Sequence, residues 1–169
     1  MKMSEGVEWA AHACAVLASL PPGQGLGAAA MASFHELPGA YMAKHLQALS
    51  KAGLVTAVRG AHGGYALARP ASEISLWDIQ AAISGPGPAF RCQDIRKSGP
   101  CAGYYPPGEP CPIARAFNAA DALYRAALKS VPLSTLVRQV ASGMGPEGRA
   151  AFRDWSEPRA VQLPAPART

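Results

Sequence analysis

The sequence predicts a mainly α-helical protein with one small β-hairpin. Two observations support this fold class. Apolar residues recur at intervals of three and four over most of the chain, which places them along one face of successive helices. Leu54 to Arg59 and Tyr65 to Leu67 are instead short runs rich in β-branched and apolar residues, and Gly63 and Gly64 supply a tight turn between them. The hairpin therefore lies between helices.

Three helices are predicted before the hairpin. Residues 7–20 form the first helix, residues 26–34 the second and residues 39–50 the third. Residues 35–37 make a short turn between the second and third helices, and Gly53 ends the third because glycine readily adopts positive φ. Two helices joined by a short turn, with the second leading into a hairpin, are the arrangement of a winged helix-turn-helix.

A second group of elements follows the hairpin. A helix is predicted over residues 76–83. The Gly- and Pro-rich segment over residues 89–110 is longer than an ordinary loop, which favours a functional role. The apolar face of residues 113–131 predicts a long helix, and residues 133–142 predict a short last one. From residue 143 onwards Gly, Pro, Arg and Glu dominate, which predicts a disordered tail.

Composition limits the class of protein. The chain of 169 residues is 49% apolar, is only 16% charged and has a formal net charge of +5, which suits a nucleic-acid partner. The sequence contains no run of about 18 apolar residues, the length that a membrane-spanning helix needs. Glu5, Glu8 and His12 interrupt the apolar positions of the first 20 residues, which is not typical of a signal peptide. A cytoplasmic protein is therefore expected, and its four cysteines favour metal or redox chemistry over structural disulfides. An enzyme is not expected, because no phosphate-binding loop or nucleophile with a placed base is evident.

The third helix and the hairpin supply candidate DNA contacts. The first turn of a recognition helix reaches base edges in the major groove, and wing residues reach the phosphate backbone or the minor groove. The candidates are Pro38, Gly39, Ala40, Tyr41, Lys44 and His45 on the helix, and Arg59, His62, Gly63 and Gly64 at the wing. For three of these residues an alternative without DNA contact stays open. Tyr41 could be buried beside the wing, Lys44 could be a solvated charge on the helix surface, and Arg59 could pair with an acidic residue of its own domain.

Four short motifs resemble one family of regulators. AGLV, RG, GGY and LARP, in that order, are similar to the winged-helix regulators of the IscR and NsrR type, and the resemblance covers Met1 to about Val140. It implies a homodimeric DNA-binding transcriptional regulator, a repressor, that uses its long helix for dimerisation. The predicted division is a winged helix-turn-helix domain over residues 1–84, a cluster-binding loop over 85–111, the dimerisation helix and a short helix over 112–142, and the tail over 143–169.

Three cysteines lie in the Gly- and Pro-rich segment. Cys92, Cys101 and Cys111 are separated by eight and nine residues. Paired CxxC motifs are absent, which argues against structural zinc, whereas three thiols on a flexible loop suit an iron–sulfur cluster. The resemblance also implies a cluster here, although the family's usual spacing is five residues and Ala114 stands where its histidine would follow the last cysteine. Cys14 is expected in the core.

The first helix supplies further candidate ligands. Glu8 and His12 are one turn apart and share a helix face. This pair, with AFRC before the loop and CPIARA after it, resembles the RsrR-type iron–sulfur redox sensors. The resemblance implies a 2Fe–2S cluster shared between two subunits. Its implied ligands are Cys92 and Cys111 of one chain with Glu8 and His12 of the partner chain, and Cys101 is the alternative ligand.

Trp9 is a candidate for passing a signal from the cluster to DNA, and three alternatives to the shared 2Fe–2S cluster stay open. Trp9 lies beside the Glu8 and His12 face, so besides core packing it is a candidate relay from the cluster to the DNA-binding helices. One alternative is a 4Fe–4S cluster that is held by the three loop cysteines and Glu8 and senses nitric oxide. A second is a metal-free thiol switch through a Cys92–Cys101 disulfide. In a third, Glu8 and His12 are only an exposed polar pair.

Overall fold

The computed structural model describes residues 4–58, 60, 63–106 and 108–163. Within this part of the chain, helices alternate with short strands as far as residue 67, and helices dominate afterwards. The helices are α1 (Glu5–Ala18), α2 (Ala28–Phe34), α3 (Gly39–Lys51), α4 (Leu76–Ser84), α5 (Pro112–Lys129) and α6 (Leu133–Ser156), and the strands are β1 (Gln24–Leu26), β2 (Val55–Val58), β3 (Gly64–Leu67) and β4 (Ala160–Gln162). The prediction of a mainly α-helical fold with a β-hairpin is confirmed.

The hydrophobic core lies where α1, α3 and α4 meet. Leu46 and Leu49 of α3 and Ile79 of α4 are fully buried, and α1 contributes small buried residues such as Ala10 and Cys14. Small side chains let the helices approach closely, and each buried leucine or isoleucine contributes roughly 1.5 to 3 kcal/mol. This packing fixes α3 against α1 and thereby determines which face of α3 stays exposed.

Helices α2 and α3 form the predicted helix-turn-helix. Glu36 adopts a positive φ of 53° in the turn, and the Leu37 N–H donates to the Ala32 carbonyl at 2.9 Å. Pro38 is the N-cap of α3. Gly53, with φ of 70°, follows the last turn of α3 as predicted, because a residue with a Cβ adopts that conformation only at a cost.

The hairpin belongs to a larger sheet than the sequence predicts. Strands β2 and β3 pair antiparallel with Val58 opposite Gly64, which confirms the wing. Strands β1 and β4 extend the sheet, whose order is β2-β3-β1-β4. The sequence assigns no strand to residues 24–26, because three residues are too few to show a periodic pattern.

Ser75 caps α4. Its hydroxyl accepts a hydrogen bond from the Asp78 N–H at 3.2 Å, and the Asp78 carboxylate accepts one from the Ser75 N–H at 2.8 Å. This reciprocal pair is a capping box. After α4 comes the irregular segment that carries the three cysteines, with 3-10 turns at Ile95–Lys97 and Ala102–Tyr104.

Helix α5 is long and leaves large apolar side chains in solvent. Ile113 is 64% exposed, Phe117 is 53% exposed and Leu123 is 74% exposed. A helix that exposes this much apolar surface is suited to contact another surface. Among the described residues, no helix is both long enough and apolar enough to cross a membrane.

Arg125 of α5 holds the beginning of the cysteine-bearing segment. It pairs with the buried Asp121 at 2.6 Å, donates to the carbonyls of Pro86 and Gly87 at 2.9 and 2.8 Å, and lies 4.6 Å from the ring centroid of Trp77 in α4. One guanidinium therefore joins α4, α5 and the chain that leaves α4.

The prediction of a disordered tail is wrong for residues 143–163. Helix α6 continues to Ser156 through a kink at Gly145, whose φ is 68°. The kink explains how a helix accommodates Gly and Pro here. Gly145 adopts the positive φ, and Pro146 stands in the first turn after the kink, where its missing N–H costs no hydrogen bond.

The part of α6 after the kink packs against the helix-turn-helix. Phe152 and Trp155 contact Phe34 of α2, with ring centroids at 5.8 and 4.5 Å. Strand β4 then pairs with β1, with Val161 opposite Gly25. The last six positions of the predicted tail, residues 164–169, lie outside the described residues.

Candidate functional site

The N-terminal end of α3 forms an exposed surface. Gly39, Ala40 and Lys44 are exposed, and Tyr41 is 56% exposed instead of buried beside the wing. Pro38 directs the chain into the helix in an extended conformation. Two small residues, a phenol and an ammonium group make a surface that can approach base edges and phosphates.

His45 faces α1 rather than solvent. Its ring centroid lies 5.9 Å from that of Trp9. A Cβ at Gly6 would come within 2.5 Å of the imidazole, so glycine at this position leaves space for the ring. Burial, and after it the charge of Lys44, lowers the pKa of His45 below its ordinary value of 6.5. The neutral imidazole therefore packs α3 onto α1.

Trp9 of α1 contacts two residues of α3. Its ring lies edge-on to Tyr41 at 6.0 Å and to His45 at 5.9 Å. Trp9 follows Glu8 directly, so a displacement of α1 at Glu8 would reach α3 through a single aromatic side chain. The relay that the sequence suggests has this contact available, and the relay itself stays a prediction.

The glycines of the wing have different surroundings. The Gly63 N–H donates to the Gly60 carbonyl at 2.9 Å within the turn. Gly64 is buried, and an added Cβ would lie 2.9 Å from the Val161 side chain and 3.1 Å from the Leu26 backbone. Sheet packing therefore accounts for glycine at position 64 without a phosphate contact. The candidate wing contacts that lie outside the described residues are Arg59 and His62.

Two of the loop cysteines meet at one open cleft. Cys92 and Cys111 both line a cleft of about 340 Å³, and the Cys92 thiol is among the groups that lower the pKa of Cys111. The pKa of Cys111 is lowered, first by the backbone N–H of Ala114, and further by the Ile113 N–H and the Arg96 charge. The two amides belong to the first turn of α5, where unpaired N–H groups favour a thiolate.

Arg96 joins the two ends of this segment, and the sequence analysis missed it. Its guanidinium donates to the Asp94 carboxylate at 2.8 Å and to the Glu109 carbonyl, and it lies 5.5 Å from the ring centroid of Tyr105. Glu109 stands two residues before Cys111, so the arginine holds both cysteine-bearing ends together. The only local signal is an acid and an arginine two residues apart in a Gly- and Pro-rich segment.

The other two cysteines lie apart from the cleft. Cys101 is exposed and is not among the residues that line the cleft. Cys14 is buried in the core as predicted, and burial raises its pKa to about 12. All four cysteines are free thiols in this structure.

Glu8 and His12 are both exposed on α1, and they line different hollows. Glu8 borders a groove between α1, α4 and α5, whereas the ring of His12 lies 5.0 Å from that of His35 after α2. In the part of the chain that the structure describes, no three His, Cys, Asp or Glu side chains are grouped closely enough to bind a metal ion. A single chain therefore does not bring these two residues to the cysteine pair.

Known proteins resemble this chain in sequence. Residues 3–139 match the Rrf2 family, described as iron-dependent transcriptional regulators. The putative HTH-type transcriptional regulator Rv1287 of Mycobacterium tuberculosis is 32% identical over 157 residues, which cover 91% of this chain and 89% of that protein. Two other curated bacterial relatives are matched over only 63 and 61% of their own length.

Solved structures resemble it in fold. CymR, the global cysteine regulator of B. subtilis, has a TM-score of 0.65 at 21% identity and covers 82% of this chain and 98% of its own. IscR of T. potens has a TM-score of 0.63 at 21% identity and covers 89% of this chain and 96% of its own. The family match over most of the chain, together with the extended similarity to Rv1287, shows that this chain belongs to the Rrf2 family of winged-helix transcriptional regulators.

Proposed function

We propose that this protein is a homodimeric DNA-binding repressor that acts in the cytoplasm and senses redox state through a 2Fe–2S cluster shared between its two chains. The observation that carries the proposal is the pair of thiols of Cys92 and Cys111 at an open cleft. The pair provides half of a four-ligand set, and the described residues of the same chain do not provide the other half.

The donor groups suit such a cluster. Cys92 and Cys111 offer thiolates, and the charge of Arg96 offsets part of their negative charge. Glu8 and His12 are exposed but lie apart from the cleft of their own chain, so the copies on a second chain are the ones that would complete the set. A bound 2Fe–2S cluster would supply a one-electron couple, at a potential raised by its nitrogen and oxygen ligands in the direction of Rieske centres, roughly −150 to +300 mV against about −400 mV for all-cysteine clusters.

The DNA-binding part of the proposal rests on α3 and the wing. The exposed first turn of α3 would enter the major groove, where Tyr41 and Lys44 offer polar contacts. Arg59 and His62 stay the proposed wing contacts to phosphate or to the minor groove. The two recognition helices of a dimer would then bind two half-sites of an operator.

The exposed apolar side of α5 supports the proposed dimer. Burying Ile113, Phe117 and Leu123 against a second chain would remove them from water. Phe117 also stacks on Phe90 with ring centroids 4.7 Å apart. A chain seated on α5 would therefore contact the segment that carries Cys92, which is where the second pair of ligands is needed.

The contact between α1 and α3 supplies a route from the ligands to DNA. A change in the position of Glu8 and His12 would move α1, and Trp9 would pass that movement to Tyr41 and His45. The two redox states would then favour different placements of the recognition helices, and DNA would bind these placements with different affinity.

One observation also favours a second candidate. The adjacent thiols of Cys92 and Cys111 could be oxidised to a disulfide, which would make the protein a metal-free thiol switch. A nitric-oxide-sensing 4Fe–4S cluster, held by the three loop cysteines and Glu8, would need Cys101 to join the pair, and Cys101 does not line the cleft with it.

Anaerobic purification tests the cluster directly. We expect an absorption spectrum of an iron–sulfur protein, about two irons and two sulfides per chain, and a native mass of two chains. Cys92→Ala and Cys111→Ala should lose the cluster, whereas Cys101→Ala should keep the spectrum. A colourless protein that binds its operator equally with reductant and oxidant contradicts the proposal, and a Cys92–Cys111 disulfide under oxidant would then favour the thiol switch.

Mixed dimers test whether the ligands are shared. One chain carries Cys92→Ala with Cys111→Ala, and the other carries Glu8→Ala with His12→Ala. If ligands come from both chains, neither parent homodimer holds a cluster, but the mixed dimer regains one complete site of two. If all ligands come from one chain, the mixed dimer stays as empty as its parents, and the shared site is wrong.

A further inference from the structure

A second cavity, of about 350 Å³, lies in the bend of α6, against α1 and the end of α2. We call it the bend cavity. Most of its wall is apolar and comes from three helices. Its main apolar residues are Val16 of α1, Phe34 of α2, and Val137, Val140, Met144 and Phe152 of α6.

The kink at Gly145 creates the bend cavity. The φ of 68° at Gly145 turns the helix axis, so the residues before and after the kink form two walls that face the same space. Val137 and Val140 stand on the first wall and Phe152 on the second. Because Phe152 is also held by Phe34 at 5.8 Å, the second wall is fixed in place and does not close the space.

The charged groups at the bend cavity are basic. Arg149 and Arg153 line it, and no carboxylate is among its lining residues. Arg149 donates one hydrogen bond, to the Ala141 carbonyl at 2.8 Å, which leaves other guanidinium N–H groups for a ligand. No ion pair among the described residues involves either arginine.

An unsatisfied buried atom also lies at this wall. His35 lines the bend cavity, and its Nε2 is buried without a hydrogen-bond partner among the described residues. Buried polar atoms without a partner are uncommon and point to a missing water, ion or ligand. An oxygen atom of a bound molecule would give Nε2 a partner that the chain does not supply.

We propose that the bend cavity binds an amphipathic monoanion, a carboxylic acid whose apolar body has roughly eight carbon atoms. The apolar walls would take the hydrocarbon, and Arg149, Arg153 and His35 would receive the carboxylate. The size estimate follows from the volume, which lies at the small end of the roughly 300 to 1,000 Å³ that ligand sites occupy. Charge complementarity selects an anion over a neutral or cationic amphiphile.

Such a ligand would act on the DNA-binding unit. His35 is the first residue after α2, in the turn of the helix-turn-helix, so an occupant of the bend cavity would join that turn to α6. The proposal adds a small-molecule input to the regulator and does not rest on the iron–sulfur cluster. A colourless protein that still binds the acid would remove the proposed cluster and leave this site intact.

Calorimetric titration of the full chain with octanoate tests the site. We expect one octanoate to bind per chain, and octan-1-ol and octylammonium to bind at least tenfold more weakly than octanoate. Hexanoate has two methylenes fewer than octanoate, and its affinity should be roughly fifteenfold lower, since each buried methylene is worth about fourfold. Arg153→Met should weaken octanoate binding about tenfold and leave octan-1-ol unchanged. Arg149→Met should do the same. If loss of the Ala141 contact unfolds Arg149→Met, the Arg153→Met variant still tests the site.

The controls use the same helix. Arg138→Met removes an exposed arginine of α6 that bonds to Thr135 and does not line the bend cavity, so octanoate affinity should be unchanged. Val140→Trp should fill the bend cavity and abolish binding. Equal affinity for octanoate and octan-1-ol, an equal loss in Arg138→Met and Arg153→Met, or full binding by Val140→Trp would each overturn the proposal.

Discussion

Lys44 projects from α3 one turn beyond Tyr41, and both side chains are exposed. An ammonium group in this position would neutralise a DNA phosphate and release a counterion, which makes affinity depend on salt. We expect Lys44→Ala to weaken binding to operator and to random DNA alike, and to make the plot of log affinity against log salt shallower by about one unit. Fluorescence anisotropy at several salt concentrations measures the slope.

Lys129 provides the matched control for Lys44. It is also exposed, but it stands at the C-terminal end of α5 and belongs neither to the recognition helix nor to the wing. Lys129→Ala should therefore leave the salt slope unchanged. If Lys44→Ala has the wild-type slope as well, Lys44 is only a solvated charge.

His45 gives the stability of the fold a pH dependence of defined sign. Its pKa in the folded chain lies below 6.5, because burial and then the Lys44 charge disfavour the imidazolium. Below pH 6.5 the unfolded chain therefore binds more protons than the folded chain, and the free energy of unfolding decreases as pH falls towards the folded-state pKa. Above pH 6.5 both states are neutral at this residue and the effect vanishes.

Urea unfolding of His45→Gln at a series of pH values tests this dependence. The decrease below pH 6.5 should be shallower than in the wild type. Part of it should persist, because burial and then the charge of His12 lower the pKa of His35 in both proteins. Identical pH profiles would show that the His45 ring is as well solvated in the folded chain as in the unfolded one.

Single-residue features are predictable when their signal is local. Ser75 and Asp78 are three residues apart, so the capping box can be read from the sequence, and Gly53 follows directly on the helix that it ends. Arg96 is different, because it reaches a backbone carbonyl 13 residues away and a carbonyl leaves no mark in the sequence. Gly64 is glycine because β1 and β4 pack beside it, and only the fold shows this.

Between elements, the contact of α1 with α3 through Trp9 carries the proposed redox signal. We expect Trp9→Ala to keep the cluster spectrum and lose the difference in operator affinity between oxidised and reduced protein, because Tyr41 and His45 lose the ring that joins them to α1. Trp9→Phe keeps an aromatic edge and should keep part of the difference. Anaerobic gel shifts in both redox states measure it, and a full difference in Trp9→Ala would exclude this route.

The contacts of Arg125 determine how the thiol-bearing segment leaves α4. We expect Arg125→Met to lower the free energy of unfolding by roughly 2 to 3 kcal/mol, because the buried Asp121 carboxylate loses its partner and two carbonyls lose donors. Hydrogen exchange should rise over residues 85–91. Asp121→Asn in the same chain is the control and should recover part of the loss. A variant as stable as the wild type would show that the pair is energetically neutral.

Elements differ in how far the sequence predicts them. Helices α1, α3 and α4 follow from apolar spacing, since each has several residues facing one core. Strands β1 and β4 have three residues each; β4 pairs with β1, and β1 pairs with β3 on its other side. The adjacency of Cys92 and Cys111 is likewise a long-range result, since the spacing of the cysteines suggests all three thiols equally.

Across the whole molecule, the end of the described chain returns to the strand beside the wing. Gly25 pairs with Val161, and the Leu163 N–H donates to the Gly23 carbonyl at 2.8 Å. Gly- and Pro-rich composition predicted disorder here because composition records local breakers and not distant partners. The second half of α6 is thus a structural part of the DNA-binding unit.

Removing that part tests its contribution to the fold. A chain that ends at Ser142 would lose Phe152 and Trp155 from the surface of Phe34, together with the pairing of β4 with β1. We expect the free energy of unfolding to fall by roughly 3 to 5 kcal/mol, the usual cost of removing a packed aromatic side chain, with loss of the pairing added.

Trp155→Ala in the full chain should reproduce much of that loss, whereas Asp154→Ala, at the exposed neighbouring position, should change stability by no more than about 0.5 kcal/mol. Urea unfolding followed by circular dichroism measures all three proteins. The order of their stabilities shows whether residues 143–163 contribute to the core or only follow it. If the shortened chain and Trp155→Ala were as stable as Asp154→Ala, residues 143–163 would add nothing to the stability of the core, and the pairing of β4 with β1 would not be needed to support the wing.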